Sequence, residues 1–565
     1  MDTKQAIIAA LQPFAQSDEA ALQDWLETPK DANMGDLCLP CFRLAKILRK
    51  NPNSIAQDLQ AVLPTIAGVA KVEAVGGYLN FCYDKTDFAA KLLEKVLTEK
   101  ERYGAADIGQ GRNVCVEFSS INIAKPFHIG HLPSTAIGNS LYRIYNFLGY
   151  NAIGINHLGD WGTQFGKMIV AYKLWGDRPV TEYSVRELVA LYVRYHEEAE
   201  KQPELNLDDQ ARAAFKQIEA GDPDAIALWK EFVAVSMNEA ARVYQRLGVH
   251  FDSFAGESFY EDKMPTVIAE LRGKGILKTD QGAEIVDLSD YNMPPCIILK
   301  KDGSTIYATR DLAAACYRKE TYDFVRSLYV VAYQQDLHFR QFFKVLELMD
   351  KEWMKDCEHV NFGMVSMEDG TLKTRQGNVT YLDDVLDAAV AKARELMREK
   401  SPDLADVDAA AETVGVGALI WGVLYKNRIK DTSFSWAKAL NFDGETGPYA
   451  QYTHARCCSV LRKAVGLDIG TPDYACLCDP HSAALLRAIA AFPAAIVAAA
   501  EKNEPYLVAR AVMAVATAYN KFYYENRILG EVSCVCAARL LVTDAARITI
   551  ANGLNLLGIT APERM

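Results

Sequence analysis

No segment of this sequence comes near the ~18 uninterrupted apolar residues that a membrane-spanning helix needs. The short apolar run at 7–11 has neither the length nor the following cleavage site of a secretory signal. Membrane insertion and export are not expected; a cytoplasmic protein is. Doubled CxxC pairs are also missing. The thirteen cysteines are odd in number, and their local pairs, Cys38 with Cys41, Cys457 with Cys458, Cys476 with Cys478 and Cys534 with Cys536, lack the spacing of a zinc site. They read as free thiols, with no structural zinc and no metal held by the protein. Basic charge is in short supply: 61 Lys and Arg face 73 Asp and Glu, a net charge of -12. That balance excludes indiscriminate binding to nucleic acid, which needs a local excess of cations against phosphate. A specific RNA remains open, because limited basic patches, stacking and base-edge contacts can hold one. Internal repeats and low-complexity tracts are absent from the sequence as well.

Apolar material is plentiful. With 50% hydrophobic and 10% aromatic residues over 565 positions, the chain can bury a large core and is expected to hold three or more domains. The most informative stretch is 114–161. Val114, Val116 and Phe118 alternate with Cys115 and Glu117, the period of a strand; Ile137, Leu141, Ile144, Tyr145 and Leu148 then repeat at helical spacing, and Gly149 closes that helix. Residues 152–155 begin a second extended run. Strand, polar loop, helix and strand in that order require a parallel pair with a right-handed crossover.

Ligands of parallel sheets gather at the carboxyl ends of strands, beside helix N-termini. At that place the loop carries His128-Ile129-Gly130-His131, two imidazoles three apart around a glycine that permits close backbone approach, with Lys125 as a fixed positive charge. Such a set can present N–H donors to a triphosphate where the helix dipole is positive. Histidines near a helix start also serve as solvated caps; the flanking Glu117, Asn122, Lys125 and Asp160 favour a site.

The run His128-Ile129-Gly130-His131 resembles the HIGH signature of class I aminoacyl-tRNA synthetases. Its setting, Glu117-Phe118-Ser119-Ser120-Ile121-Asn122-Ile123-Ala124-Lys125-Pro126-Phe127, and the later Asn156-His157-Leu158-Gly159-Asp160-Trp161-Gly162 resemble arginyl-tRNA synthetases in particular. Two positions depart from that family: Ile121 stands where Pro is usual, and Pro133 where Arg is usual. The second loses a charge near the site. Proline is compatible with a first helical turn, where its missing N–H is no loss, so the fold is expected to survive.

The resemblance implies an enzyme that joins L-arginine to tRNA(Arg) through an arginyl-adenylate, using ATP with its Mg²⁺. It makes His128, His131 and Lys125 catalytic, and adds Gly130, Lys373 and Arg375 to the ATP contacts. The last two lie in a Gly-bearing basic loop in the place of the KMSK signature. That motif is degenerate here, and Lys125 is expected to supply the cation that its missing second lysine would provide.

For the amino acid, a guanidinium is planar, permanently charged and forked, so a selective pocket needs carboxylates spaced to accept its donors and an aromatic wall. Glu257, Asp311 and Tyr307 meet that requirement. The resemblance implies that the pocket is theirs, with Asn122 and Gln335 at the α-amino end and Ser119 nearby. Gln335 follows 324–333, which reads as a buried parallel strand. Thr309 reads as the N-cap of the helix that carries Asp311.

Residues 72–81, with a Gly-Gly bend, read as a hairpin in an α+β module. By resemblance this is an appendage that contacts the tRNA D-loop, Tyr78 as an exposed stacking aromatic and Asn80 as an amide reading a base edge. Ala- and Leu-rich helical patterns beyond about 386 predict a helix bundle. The segment 442–456 and the end of the chain resemble the family's anticodon-binding domain, with Tyr449 and Tyr452 as tRNA contacts.

The expected fold class is multidomain α/β. An α+β domain covers 1–110, a Rossmann-like parallel-sheet catalytic domain covers 111–385 with a mainly helical insertion at about 167–300, and an all-α bundle covers 386–565. A monomer is expected. The competing reading is an RNA-binding paralogue that keeps the fold and has lost charging, for which Pro133 and the degenerate Lys373 loop speak. A synthetase for another amino acid would not need Glu257 and Asp311 together.

Overall fold

Short apolar runs in the first hundred positions form a small antiparallel sheet in the order β1-β3-β2, from β1 (Leu37–Pro40), β2 (Val69–Val75) and β3 (Tyr78–Tyr83). Gly76 and Gly77, at φ of 58° and 82°, form the two-residue turn of the β2-β3 hairpin, a turn that demands left-handed backbone at both positions. Around this sheet lie α1 (Thr3–Ala15), α2 (Glu19–Trp25), α3 (Phe42–Leu48), α4 (Pro52–Val62) and α5 (Lys85–Glu99). Ile7, Leu11, Leu44, Ile55, Leu79 and Phe81 close one core between helices and strands. The computed structural model describes residues 3–29, 31, 34–367, 380–400 and 404–565. The chain forms two compact units, one of 1–100, 460–490 and 518–546, and a second of 101–459, 491–517 and 547–565.

The second unit opens with β4 (Asn113–Glu117), α6 (Leu132–Phe147) and β5 (Asn151–Ile155). The insertion follows as α7 (Thr163–Trp175), α8 (Val185–Lys201), α9 (Leu207–Glu219), α10 (Pro223–Arg246) and α11 (Met264–Gly273). An antiparallel sheet then forms from β6 (Leu277–Asp280), β7 (Ala283–Val286) and β8 (Cys296–Leu299). The chain returns through α12 (Tyr307–Tyr322) to β9 (Arg326–Tyr329), and through α13 (Asp336–Leu348) to β10 (Cys357–His359). The main sheet has the order β10-β9-β4-β5 and is parallel throughout. Its β4-β5 pair is the one expected from 114–155. At Gly138 of α6 an added Cβ would lie 2.1 Å from the Phe118 side chain, so the helix is seated hard against the end of β4.

One element is added to the mainly helical insertion, and one local expectation is corrected. The insertion region includes the β6-β7-β8 sheet, whose four-residue strands are too short to register a period of two. Thr309 does not cap α12: Ile306 holds the N-cap position, while Thr309 is buried in the first turn and its hydroxyl donates to Ile298 O at 2.6 Å. A hydroxyl committed to the neighbouring strand cannot also serve the helix end.

Beyond the sheet, β11 (Val365–Met367) pairs in parallel with β12 (Thr432–Phe434). The remaining helices are α14 (Leu382–Lys400), α15 (Val407–Leu424), α16 (Trp436–Ala439), α17 (Gly447–Ala464), α18 (Pro480–Lys502), α19 (Tyr506–Glu525) and α20 (Ser533–Leu556). All thirteen cysteines are thiols, and burial pushes Cys38 and Cys41 up to about 11, which leaves them protonated and unreactive.

Candidate active site

The loop after β4 is built from backbone that side chains rarely tolerate. Ser119, Ser120 and Ala124 have φ of 68°, 46° and 56°, each on the order of 1–3 kcal/mol unfavourable for a residue with a Cβ. Its surroundings fix it. Ser119 donates its N–H to Ser134 Oγ (2.9 Å), and its hydroxyl meets Tyr244 Oη (2.9 Å) and Thr135 Oγ1 (3.0 Å). Ser134 in turn donates to Val330 O at 2.6 Å, tying the start of α6 to the end of the β9 strand. Asn122 is exposed beside Gly159, where an added Cβ would lie 2.5 Å from Asn122 Oδ1. Lys125 is exposed, with no partner among the described residues.

His128 and His131 cap each other's turn. Gly130 donates its N–H to His128 Nδ1 at 3.0 Å, and His128 donates its N–H to His131 Nδ1 at 3.2 Å. The carbonyl of His128 lies equally close to that Nδ1 but already accepts the His131 N–H at 2.9 Å. Accepting at Nδ1 leaves Nε2–H of each ring as the outward donor. Burial pushes both imidazoles down, His131 to about 4, so they are neutral donors at physiological pH. Gly130 is needed here, since a Cβ would fall 2.8 Å from the His128 ring. Pro133 sits in the first turn of α6, where no N–H is required.

Across the carboxyl edge, Tyr307 and Asp311 stand four apart on the first turns of α12 and so share a face. Tyr307 is 56% exposed and packs edge-on to His338, with ring centroids 4.8 Å apart. Asp311 accepts a 2.7 Å hydrogen bond from His338 Nε2, and His157 Nε2 lies 3.9 Å from its other oxygen. Burial alone would raise the Asp311 pKa; the His338 hydrogen bond, with the charges of His338, His157 and Arg318, holds it below the usual carboxylate range. Glu257 follows Gly256, where a Cβ would meet Asp160 Oδ1 at 2.6 Å; Asp160 also accepts from Ser258 N (2.9 Å) and Ser258 Oγ (2.6 Å), so it shapes the turn that presents Glu257. Burial pushes Glu257 up to about 7 against the pull of Arg310, with Asp311, Asp160 and Glu261 adding to the rise. Arg310 lies 3.7 Å from Glu257 and 2.9 Å from Glu261.

Glu257 is thus placed beside the first turns of α12, which carry Tyr307, Arg310 and Asp311, while Ser119, Asn122, His128 and His131 lie on the loop after β4. Gln335 is exposed in a short turn following β9. Lys373 and Arg375 lie outside the described residues. Sequence reasoning missed His157, His338, Arg310 and Arg318. The rule that ligands meet strand ends pointed at the segments of the first two, but not at their pairing with Asp311. Arg318 is buried, donates to Glu117 at the end of β4, and reaches His157 Nδ1 at 3.4 Å.

The expected RNA contacts are placed unevenly. Tyr78 is half-buried, edge-on to the exposed Phe42 at 5.4 Å. Asn80, expected as an accessible amide, is only 2% exposed, because it sits on the central strand β3 opposite Cys38 and Glu73. Tyr452 is exposed under the Arg456 guanidinium at 4.8 Å, one turn after the half-buried Tyr449.

A parallel sheet with paired histidines on the loop after its β4 strand, leading into α6, defines the catalytic domain of a class I aminoacyl-tRNA synthetase. Residues 92–436 match the family of class I (R) tRNA synthetase catalytic domains, 1–83 the arginyl-tRNA synthetase N-terminal domain, and 450–565 the DALR anticodon-binding domain. An arginine-tRNA ligase of Clostridioides difficile is 52% identical over 541 residues, 96% of this chain and 95% of the relative. That of Alkaliphilus metalliredigens is 50% identical over 548 residues, 96% of each chain. The solved arginyl-tRNA synthetase of Thermus thermophilus has a TM-score of 0.82 at 25% identity, covering 100% of this chain and 99% of that one. The chain belongs to the arginyl-tRNA synthetase family.

Proposed function

We propose that this chain forms arginyl-adenylate and pyrophosphate from ATP and L-arginine, then passes the arginyl group to the terminal ribose of tRNA(Arg) for translation. The observation that supports this reading is Glu257 set beside the first turns of α12, which carry Asp311 and Tyr307, two carboxylates and an aromatic suited to a forked cation, in the domain that carries the paired histidines. The arginine carboxylate attacks the α-phosphorus and pyrophosphate leaves; a ribose hydroxyl then attacks the acyl carbon and AMP leaves. No side chain need become covalently attached, so the protein contributes position and charge.

His128 and His131 donate Nε2–H to the triphosphate, Gly130 lets it approach the backbone, and Lys125 supplies a permanent cation, with Lys373 and Arg375 as further ATP contacts. Glu257 and Asp311 accept the guanidinium donors against Tyr307, while Ser119, Asn122 and Gln335 surround the α-amino end. N–H donors and a lysine suit phosphate oxygens and not a hard cation, so Mg²⁺ enters as part of the ATP substrate. Structural zinc is no part of this reading. Tyr78, Asn80, Tyr449 and Tyr452 are the tRNA contacts. The domains are 1–110, 111–385 with an insertion at about 167–300, and 386–565. The protein works as a cytoplasmic monomer without a membrane. α15 and α18 are long and apolar enough to span a membrane, and α15, mostly buried inside the protein, is read as a core helix. The reading as a paralogue without charging loses ground because Ser119, Asn122, Glu257, Tyr307, Asp311 and Gln335 are all present.

Pyrophosphate exchange with each amino acid, with and without tRNA, tests the function. Arginine-dependent exchange is expected; exchange with another amino acid, or none even with tRNA, overturns it.

A further inference from the structure

The segment that carries the two histidines is stitched by its backbone to the start of α14. Ile129 donates its N–H to Thr380 O (3.0 Å), Leu382 donates to Phe127 O (2.8 Å), and His128 pairs with Tyr381 in an isolated antiparallel bridge. Leu382 is the first residue of α14, so where that first turn stands, the backbone at His128 must follow. Both imidazoles depend on this backbone, because the Nδ1 of each accepts from a main-chain N–H of the same turn.

Two arginines hold the first turn of α14. Both come from the helical insertion, and neither touches the site. Arg246, the last residue of α10, places Nη1 2.7 Å from Asp383 and 2.8 Å from Asp387, one turn apart on α14. Its Nε and Nη2 take the two oxygens of Glu412 on α15, at 2.8 and 3.3 Å. One guanidinium, with its side chain 21% exposed, thus serves three carboxylates. Burial pushes its pKa down, and the three carboxylates, Glu412 foremost, more than offset that. Arg186 on α8 reaches Asp384 at 2.5 Å and lies 4.3 Å over the ring of Tyr381, the partner of His128. The helix ends agree with these charges: Asp383 and Asp384 lie in the first turn of α14, where anions are favoured, and Arg246 in the last turn of α10, where a cation is.

We infer that Arg246 and Arg186 are positioning residues for adenylate formation. They fix the first turn of α14 and, through residues 380–382, the backbone that orients His128 and His131 toward the triphosphate. The inference rests on the charging reading and gives the insertion a part in the ATP half of the chemistry. A forked guanidinium is needed at Arg246, because an ammonium is a point charge that cannot satisfy Glu412 in bidentate fashion and two aspartates together.

The test is arginine-dependent pyrophosphate exchange in the full-length protein with tRNA present, with kcat expressed per active site titrated by the adenylate burst. Arg246→Ala is expected to lower kcat roughly 10- to 100-fold, the scale of an ångström-level misplacement, with the arginine KM within about two-fold of wild type. Arg246→Lys should recover part of the loss, and Arg186→Ala should show a smaller fall of the same kind. A wild-type kcat in Arg246→Ala overturns the inference, as does an arginine KM that rises in step with the fall in kcat. Should Arg246→Ala not fold, Arg246→Lys and Asp387→Asn decide by the same criteria: a several-fold fall in kcat at constant arginine KM supports it, and wild-type kcat in both overturns it. Absence of arginine-dependent exchange in the wild type would instead sink the charging reading, so the two failures stay distinct.

Discussion

Burial works against the charged form of the paired histidines and of Glu257 alike, and only Asp311 escapes it. On the proposed triphosphate side burial removes charge: His128 and His131 are pushed down, His131 to about 4, and the exposed Lys125 is the cation of that loop. On the proposed guanidinium side burial likewise favours the neutral form and pushes Glu257 up to about 7, yet the neighbouring Asp311 is held below the usual range. The two carboxylates differ in their partners. Asp311 has a direct 2.7 Å hydrogen bond from His338, while the cation nearest Glu257, Arg310, is 3.7 Å away and shared with Glu261. Within one cleft, ionisation therefore follows the hydrogen-bond partner more closely than depth.

The strongest way to break this comparison is to remove the permanent charge from the triphosphate side. Lys125→Ala is expected to lower kcat for arginine activation by roughly 10² to 10³, the scale of losing one donor to charge that develops in the transition state, with the arginine KM little changed. Lys373→Ala should fall clearly less; a larger drop there would reverse the assignment. On the other side, Asp311→Asn should keep the fold and raise the arginine KM roughly ten-fold or more, since a charge-assisted contact of about 1.5–3 kcal/mol becomes neutral. An unchanged arginine KM would take Asp311 out of the pocket.

Glu257 allows the comparison to be sharpened by pH alone. Its raised pKa means that in the empty pocket it is protonated below about 7 and ionised above. Only the carboxylate attracts a guanidinium, so arginine binding should release a proton on the acid side. The arginine KM is expected to fall by up to about ten-fold per pH unit as pH rises toward 7, and to level off above it. Glu257→Gln should flatten that profile. A flat wild-type profile between pH 5.5 and 8 would show that Glu257 does not titrate in contact with arginine. His131, neutral down to about 4, adds no inflection in that window.

What the sequence made legible was local. The β4-loop-α6 unit, the paired histidines at its loop and the candidates Glu257, Tyr307 and Asp311 all follow from spacing, residue chemistry or the resemblance. What stayed hidden depends on contacts between distant segments. The partner of Asp311 comes from 27 residues further along, the buried Arg318 reaches across 201 residues to Glu117, and nothing in either local pattern marks them as paired. Thr309 looked like a cap because its hydroxyl could turn back on its own helix, but β8 packs close enough to claim it. The exposure of Asn80 was misjudged for a related reason. A hairpin reads as a surface element until a third strand pairs with its second one, and β1 does so.

That burial sets up the smallest expected effect, on the tRNA contact of the N-terminal domain. Asn80 lies on the middle strand of its sheet, 2% exposed, and its Nδ2 has no hydrogen-bond partner among the described residues. An amide donor left unpaired in a core costs about 1–3 kcal/mol, so it is a poor choice for a residue whose only task is packing. If its task is to donate to a base edge, Asn80→Ala removes one neutral hydrogen bond, worth about 0.5–1.5 kcal/mol net, and should raise the KM for tRNA by about two- to ten-fold. The same change relieves the unpaired amide, so Tm should hold or rise, and the arginine KM should not move. Thermal unfolding and tRNA charging kinetics on this one variant separate the two roles. A lowered Tm with an unchanged tRNA KM would make Asn80 a core residue and leave Tyr78, half-buried beside Phe42, to carry the contact.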